Sequence, residues 1–217
     1  MIFNHLFKMK TITIIILLFV LPIAAYCQQG FKQDLNHIAS ITFPDMPKTT
    51  VEKNETVFAL NDSGIVYLAI AAPVQKGIKD YFTKNSNDSL FQGVIKGSLQ
   101  SSKGILFYRK NVVMNGLKGL EFGYKAVLDS VKSYRYHQAF YVNNTLIFYG
   151  YWSKDSLQAD DKGMRSFFNS FKLKVKPVDI TQSDVSDLSF KAGEVIGYLI
   201  CIGAVVLLVI FLVKKFT

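Results

Sequence analysis

Residues 118–142 read KGLEFGYKAVLDSVKSYRYHQAFYV, and their alternation decides the fold. Along Lys118 to Leu128, the residues Leu120, Phe122, Tyr124 and Ala126 point one way; along Val131 to Val142, Tyr134, Tyr136 and Phe140 do the same. Only a strand brings residues i, i+2 and i+4 to one face. The connection between the two runs sets their register, and a slip of one residue turns every side chain to the opposite face. A two-residue loop at Asp129-Ser130 sets Phe122 opposite His137 and splits the aromatic face. A loop that also takes in Leu128 pairs Phe122 with Tyr136 and Tyr124 with Tyr134, and this is the register expected.

Outward from this pair, Ile105 to Val113 and Thr145 to Trp152 are further strands, joined through the turn formers Asn115-Gly116 and Asn143-Asn144. Upstream, Thr56 to Leu60 and Gly64 to Ala71 form a hairpin across Asn61 to Gly64. The run Ile65 to Ile70 is apolar on both faces, as a doubly covered central strand requires. Ser40 to Phe43 is a short strand closed by Pro44 and Pro47. Two helices complete the domain. One starts at Asn87 or Asp88, carries Leu90, Phe91, Val94, Ile95 and Leu99 on one face, and stops at Gly104. In the other, Met164, Phe167, Phe168 and Phe171 fall at i, i+3, i+4 and i+7, a stripe that packs on a sheet. The fold class predicted is α+β, an antiparallel sheet flanked by helices, with one further helix at the C-terminus spanning a membrane.

The ends of the chain predict that span. Lys8 and Lys10 precede an Ile- and Leu-rich run, Pro22 breaks it, and Ala25 and Cys27 suit the positions before a cut. Residues 1–27 thus read as a signal peptide, with Tyr26 too bulky to favour acylation of Cys27. Residues 28–175 are the exported domain and 176–194 a polar stalk. Val195 to Val213 holds 19 residues without a charge, about 28 Å of helix against a hydrocarbon core of about 30 Å. Lys214 and Lys215 follow it, so residues 214–217 are a cytosolic tail. The expectation is a single-pass protein of a bacterial inner membrane, with its N-terminal domain in the periplasm and its C-terminus cytosolic. Gly193, Gly197 and Cys201 recur every four residues, a small-residue face through which a protein partner or a second copy of the helix could approach.

The formal charge of +9 is no nucleic-acid signal: basic residues are scattered, and several sit beside the apolar ends. Neither cysteine falls inside the domain, so it is built without a disulfide. Four N-x-S/T sequons, at Asn54, Asn61, Asn87 and Asn143, carry meaning only in a host that glycosylates them.

Three segments resemble a family. Ile41-Thr42-Phe43-Pro44-Asp45-Met46-Pro47, Asn115-Gly116-Leu117-Lys118-Gly119-Leu120-Glu121 and Phe167-Phe168-Asn169-Ser170-Phe171-Lys172-Leu173 are similar, in this order, to a bacterial branch of PsbP-like domains. The resemblance spans Ile41 to Leu173. It implies an antiparallel sheet between helices and an accessory or scaffold role rather than an enzyme, and it transfers no metal-binding residue.

Chemistry is sparse. His37 and His137 stand in no metal-ligand spacing, and nucleophile elbow, P-loop and dinucleotide fingerprint are missing. No catalytic residue, metal or cofactor is expected. The expected register leaves one candidate ligand face, with Lys110 and His137 opposite Glu121 and Arg135 alongside. The competing reading is a solvated sheet face with weak cross-strand ion pairs. The run Phe148-Tyr149-Gly150-Tyr151-Trp152 could stack on a sugar ring, but aromatics in a strand more often fill a core. The functional expectation is a membrane-anchored extracytoplasmic binding or scaffold protein acting through protein partners, with a small-molecule site on the four-residue face as the alternative.

Overall fold

In the computed structural model, residues 30–52, 55–73, 87–128 and 131–175 are described. The segments expected to be signal peptide, stalk, membrane span and tail lie outside them, as do Gly193, Gly197 and Cys201. Among the described residues no helix is long and apolar enough to cross a membrane.

The described chain is mainly antiparallel sheet with two helices. Strands β3 (Lys48–Glu52), β4 (Glu55–Asp62), β5 (Ile65–Pro73), β6 (Ile105–Met114), β7 (Leu117–Leu128), β8 (Val131–Val142) and β9 (Thr145–Ser153) form a seven-stranded sheet. Its order is β3-β4-β5-β9-β8-β7-β6, antiparallel at every pairing. β1 (Phe31–Leu35), β2 (Ala39–Phe43) and β10 (Lys172–Leu173) form a second, three-stranded sheet in the order β1-β2-β10. The helices are α1 (Asn87–Ser102) and α2 (Lys162–Asn169).

Short turns fix the hairpins. Ser63-Gly64, Asn115-Gly116 and Asn143-Asn144 all have positive φ, the conformation that matches the twist of adjoining antiparallel strands. Gly64 and Gly116, at φ +84° and +82°, hold conformations in which a side chain would be strained. β5 lies between β4 and β9, the central place that its two apolar faces demanded.

Both faces of the large sheet are covered. On one, Leu90, Phe91, Val94 and Ile95 of α1 pack with Leu68, Ile70, Leu120, Phe122, Tyr124 and Phe148. On the other, β2 and α2 supply Ile41, Phe43, Met164, Phe167 and Phe168 against Phe140, Ile147, Tyr149 and Tyr151. Helix α2 starts at Asp161, whose carboxylate accepts from the Met164 N–H at 2.9 Å. It ends at Asn169, so Phe171 lies beyond it, yet the ring still stacks on Phe140 and Tyr149. Ser170 ties this end to β2, its Oγ accepting from Thr42 N–H at 2.9 Å.

The expected register of β7 and β8 is wrong. Leu128 pairs with Val131, Phe122 with His137, Tyr124 with Arg135 and Glu121 with Gln138. This is the register of the two-residue connection. The aromatic face did split, because each half of it meets a core of its own. Alternation fixes register only where one face of a sheet meets water, and here neither does.

Candidate functional site

Register decides which polar residues meet. Lys110 stands opposite Glu121, as expected from the Asn115-Gly116 turn, and its Nζ lies 3.0 Å from Glu121 Oε1. Arg135 and His137 do not join them. They belong to the opposite face, against α1, so the four-residue ligand face does not exist.

Nor is Glu121 on a solvated face: its exposure is 0%. Arg165 of α2 grips both carboxylate oxygens, Nη1 to Oε2 at 2.8 Å and Nη2 to Oε1 at 2.7 Å. The Gln138 amide donates to Oε2 at 2.5 Å and the Tyr108 hydroxyl to Oε1 at 3.1 Å. Behind them the Tyr149 hydroxyl donates to Gln138 Oε1 at 2.6 Å, orienting that amide. Burial alone would raise the carboxyl, but hydrogen bonds from Arg165, Gln138 and Lys110 outweigh it and lower its pKa to about 2. The same bond pushes the Arg165 guanidinium further up, and burial beside Glu121 raises Tyr108. Such a carboxylate is ionised, saturated and enclosed: it can anchor a helix, but it has no oxygen left for a substrate.

Arg165, Tyr108 and Gln138 were not singled out by sequence, and Tyr149 was named only within the aromatic run, for a different role. The two-residue register would have found Gln138. Arg165 flanks the Met164, Phe167, Phe168 stripe, but its reach to β7, 44 residues away, leaves no local trace.

On the α1 face, His137 is fully buried among rings, its centroid 4.5 Å from Phe148, 5.3 Å from Phe122 and 5.5 Å from Tyr124. Neither ring nitrogen has a hydrogen-bond partner among the described residues. Burial first, then the Arg135 charge, push the imidazole well below its usual pKa, with the Tyr149 main chain acting weakly the other way. Arg135 lies between its cross-strand neighbours, its guanidinium 4.0 Å from the Trp152 ring and 5.9 Å from that of Tyr124. Cation–π attraction thus takes the place of an ion pair. Gly150 sits opposite His137, and a Cβ there would collide with the imidazole. Phe148, Tyr149, Tyr151 and Trp152 are all buried, so the run that suggested sugar stacking is core. No group of three or more His, Cys, Asp or Glu residues among the described residues could hold a metal ion.

No family model and no curated protein matches the chain. Among solved structures, cyanobacterial PsbP from Synechocystis sp. PCC 6803 aligns over 67% of this chain and 93% of its own, at 13% identity and a TM-score of 0.47. The chain is similar in fold to PsbP. A Pseudomonas aeruginosa protein of unknown function aligns over 58% of this chain and 83% of its own, at 11% identity and a TM-score of 0.34.

Proposed function

We propose that the chain is a membrane-anchored binding or scaffold protein, displayed outside a bacterial inner membrane and acting through protein partners rather than catalysing a reaction. One observation carries the non-catalytic part. Glu121, the buried carboxylate at the centre of the strongest polar cluster, is gripped by Arg165, Gln138, Tyr108 and Lys110 and has no oxygen open to a substrate. The small-molecule alternative needed Lys110, Glu121, Arg135 and His137 on one face, and these residues divide two and two between opposite faces. The anchor rests on the 19 uncharged residues Val195 to Val213 and the lysines after them.

The test is crosslinking in native membranes followed by co-purification, comparing the intact chain with one whose apolar segment is replaced by polyleucine. Partners retained on the replacement assign recognition to the domain; partners lost assign it to the Gly193, Gly197, Cys201 face. A chain released from membranes by salt, or a domain that protease cannot reach in intact spheroplasts, refutes the proposal.

A further inference from the structure

The sheet face toward α1 gathers three polar side chains that the fold leaves short of partners. Arg135 and Trp152 stand directly opposite each other on β8 and β9, and His137 and Gly150 are the next pair along the same face. Arg135 and Trp152 are each 4% exposed and His137 0%. Arg135 Nη1, Trp152 Nε1 and both His137 nitrogens are closed off from solvent without a hydrogen-bond partner among the described residues. Gly150 lets them crowd together: the point that a Cβ would take there lies against His137 Nδ1 and 3.3 Å from Trp152 Nε1. The Arg135 guanidinium, 4.0 Å from the centre of the Trp152 ring, completes the group. Folded proteins seldom leave even one buried donor unmade, and three side by side point to an occupant.

The donors select its chemistry. A guanidinium and an indole N–H only donate, and a neutral imidazole adds one donor and one acceptor. Arg135 Nε is taken by Ser133 Oγ at 3.3 Å, and among the described residues no carboxylate pairs with the guanidinium. The rings of Trp152 and Tyr124 temper its charge but give Nη1 no acceptor. A water molecule would bring two protons of its own into a cluster already rich in them. An anion brings none and supplies the missing countercharge. One cation calls for one negative charge. The rings of Phe122, Tyr124 and Phe148 around His137, and α1 above them, call for a small ion.

We infer that Arg135 Nη1 and Trp152 Nε1, with His137 beside them, form a buried binding site for a small monovalent anion such as a halide. The site is independent of the protein-binding reading above, and either can fail without the other.

Trp152 is the only tryptophan in the chain, so the emission of the full protein in detergent micelles reads this site directly. Sodium bromide is exchanged for sodium gluconate at constant ionic strength. Gluconate is monovalent but too large to enter, so screening stays equal and only occupancy changes. Bromide should quench Trp152 along a curve that saturates, and should raise the thermal unfolding midpoint as its concentration rises, as a ligand of the folded chain alone must. Arg135→Gln should weaken bromide binding about tenfold or more. His137→Phe keeps the guanidinium and the indole, and its curve should still saturate. Crystals of the unaltered protein soaked in bromide need no variant to fold: an anomalous peak should lie within hydrogen-bond reach of Arg135 Nη1 and Trp152 Nε1. Quenching that climbs linearly without a plateau, the same curve in Arg135→Gln, equal stabilisation by gluconate, or bromide peaks only at surface lysines would each overturn the inference.

Discussion

The two faces of β7 and β8 bury polar groups in opposite ways. Toward α2, Glu121 and Arg165 form a closed, doubly hydrogen-bonded pair, and the remaining acceptor sites go to Gln138, Tyr108 and Lys110. Toward α1, Arg135, His137 and Trp152 are buried beside one another, yet Arg135 Nη1, both nitrogens of His137 and Trp152 Nε1 have no hydrogen-bond partner among the described residues. Low polarity around a group amplifies whatever its neighbours provide. Glu121 is held as an anion because its neighbours are donors; His137 is held neutral because its neighbours are rings and a cation. One face joins an outer helix to the sheet through charge, and the other stacks aromatics.

The contrast is broken most forcefully by removing the grip on Glu121. Arg165→Ala leaves a carboxylate enclosed without its main partner and should cost about 3 to 5 kcal/mol of stability, read from urea unfolding. Replacing the pair together, Arg165→Met with Glu121→Leu, should recover most of that loss, since apolar groups of similar volume need no partner. A loss below about 1 kcal/mol in the single variant would mean that Glu121 is held no better than His137, and the distinction between the faces would fail.

Acid separates the faces by the pH at which each gives way. The folded pKa of His137 lies below the usual 6.5, so the unfolded chain takes up a proton first as pH falls. Its contribution is therefore complete above about pH 6.5 and declines below it by about 1.4 kcal/mol per pH unit. Glu121 is depressed from 4.5 to about 2. Its contribution is present above about pH 4.5 and is lost as pH falls through its folded value. His137→Phe should flatten the upper window and leave the lower one in place, both followed by urea titrations at successive pH values. At neutral pH the same substitution should raise stability by about 1 kcal/mol, because two unpartnered nitrogens disappear from the core. A loss of stability would show that the imidazole nitrogens are used in the fold.

How much of this was legible depends on the range over which each signal acts. Turns announced themselves locally: Asn115-Gly116 and Asn143-Asn144 place their strands as expected, and with them Lys110 opposite Glu121. The stripe Met164, Phe167, Phe168 identified α2 and its buried face. β1, β3 and β10 were missed. Phe31–Leu35 and Lys48–Glu52 are polar short strands, and two-residue β10 exists only because β2 lies beside it. The candidate site failed through one assumption. The β7–β8 register was inferred from a single apolar face, and a sheet sandwiched between two cores has two. That slip carried Arg135 and His137 to the wrong side and hid Gln138. Arg165 lay beyond any local pattern, because its partner is set by how α2 docks and not by neighbouring residues.

The smallest effect sharpens the contrast, because it asks which neighbour does the holding. Lys110 reaches Glu121 from the rim strand, and its side chain is 48% exposed, so water competes for the ammonium. Lys110→Ala should cost less than about 1 kcal/mol and lose most of that cost in high salt. The carboxylate would still receive two N–H groups from Arg165, the Gln138 amide and the Tyr108 hydroxyl, so the acid limb of the stability profile should stay below pH 4.5. Were Lys110→Ala as damaging as Arg165→Ala, the anion would be governed from the exposed rim.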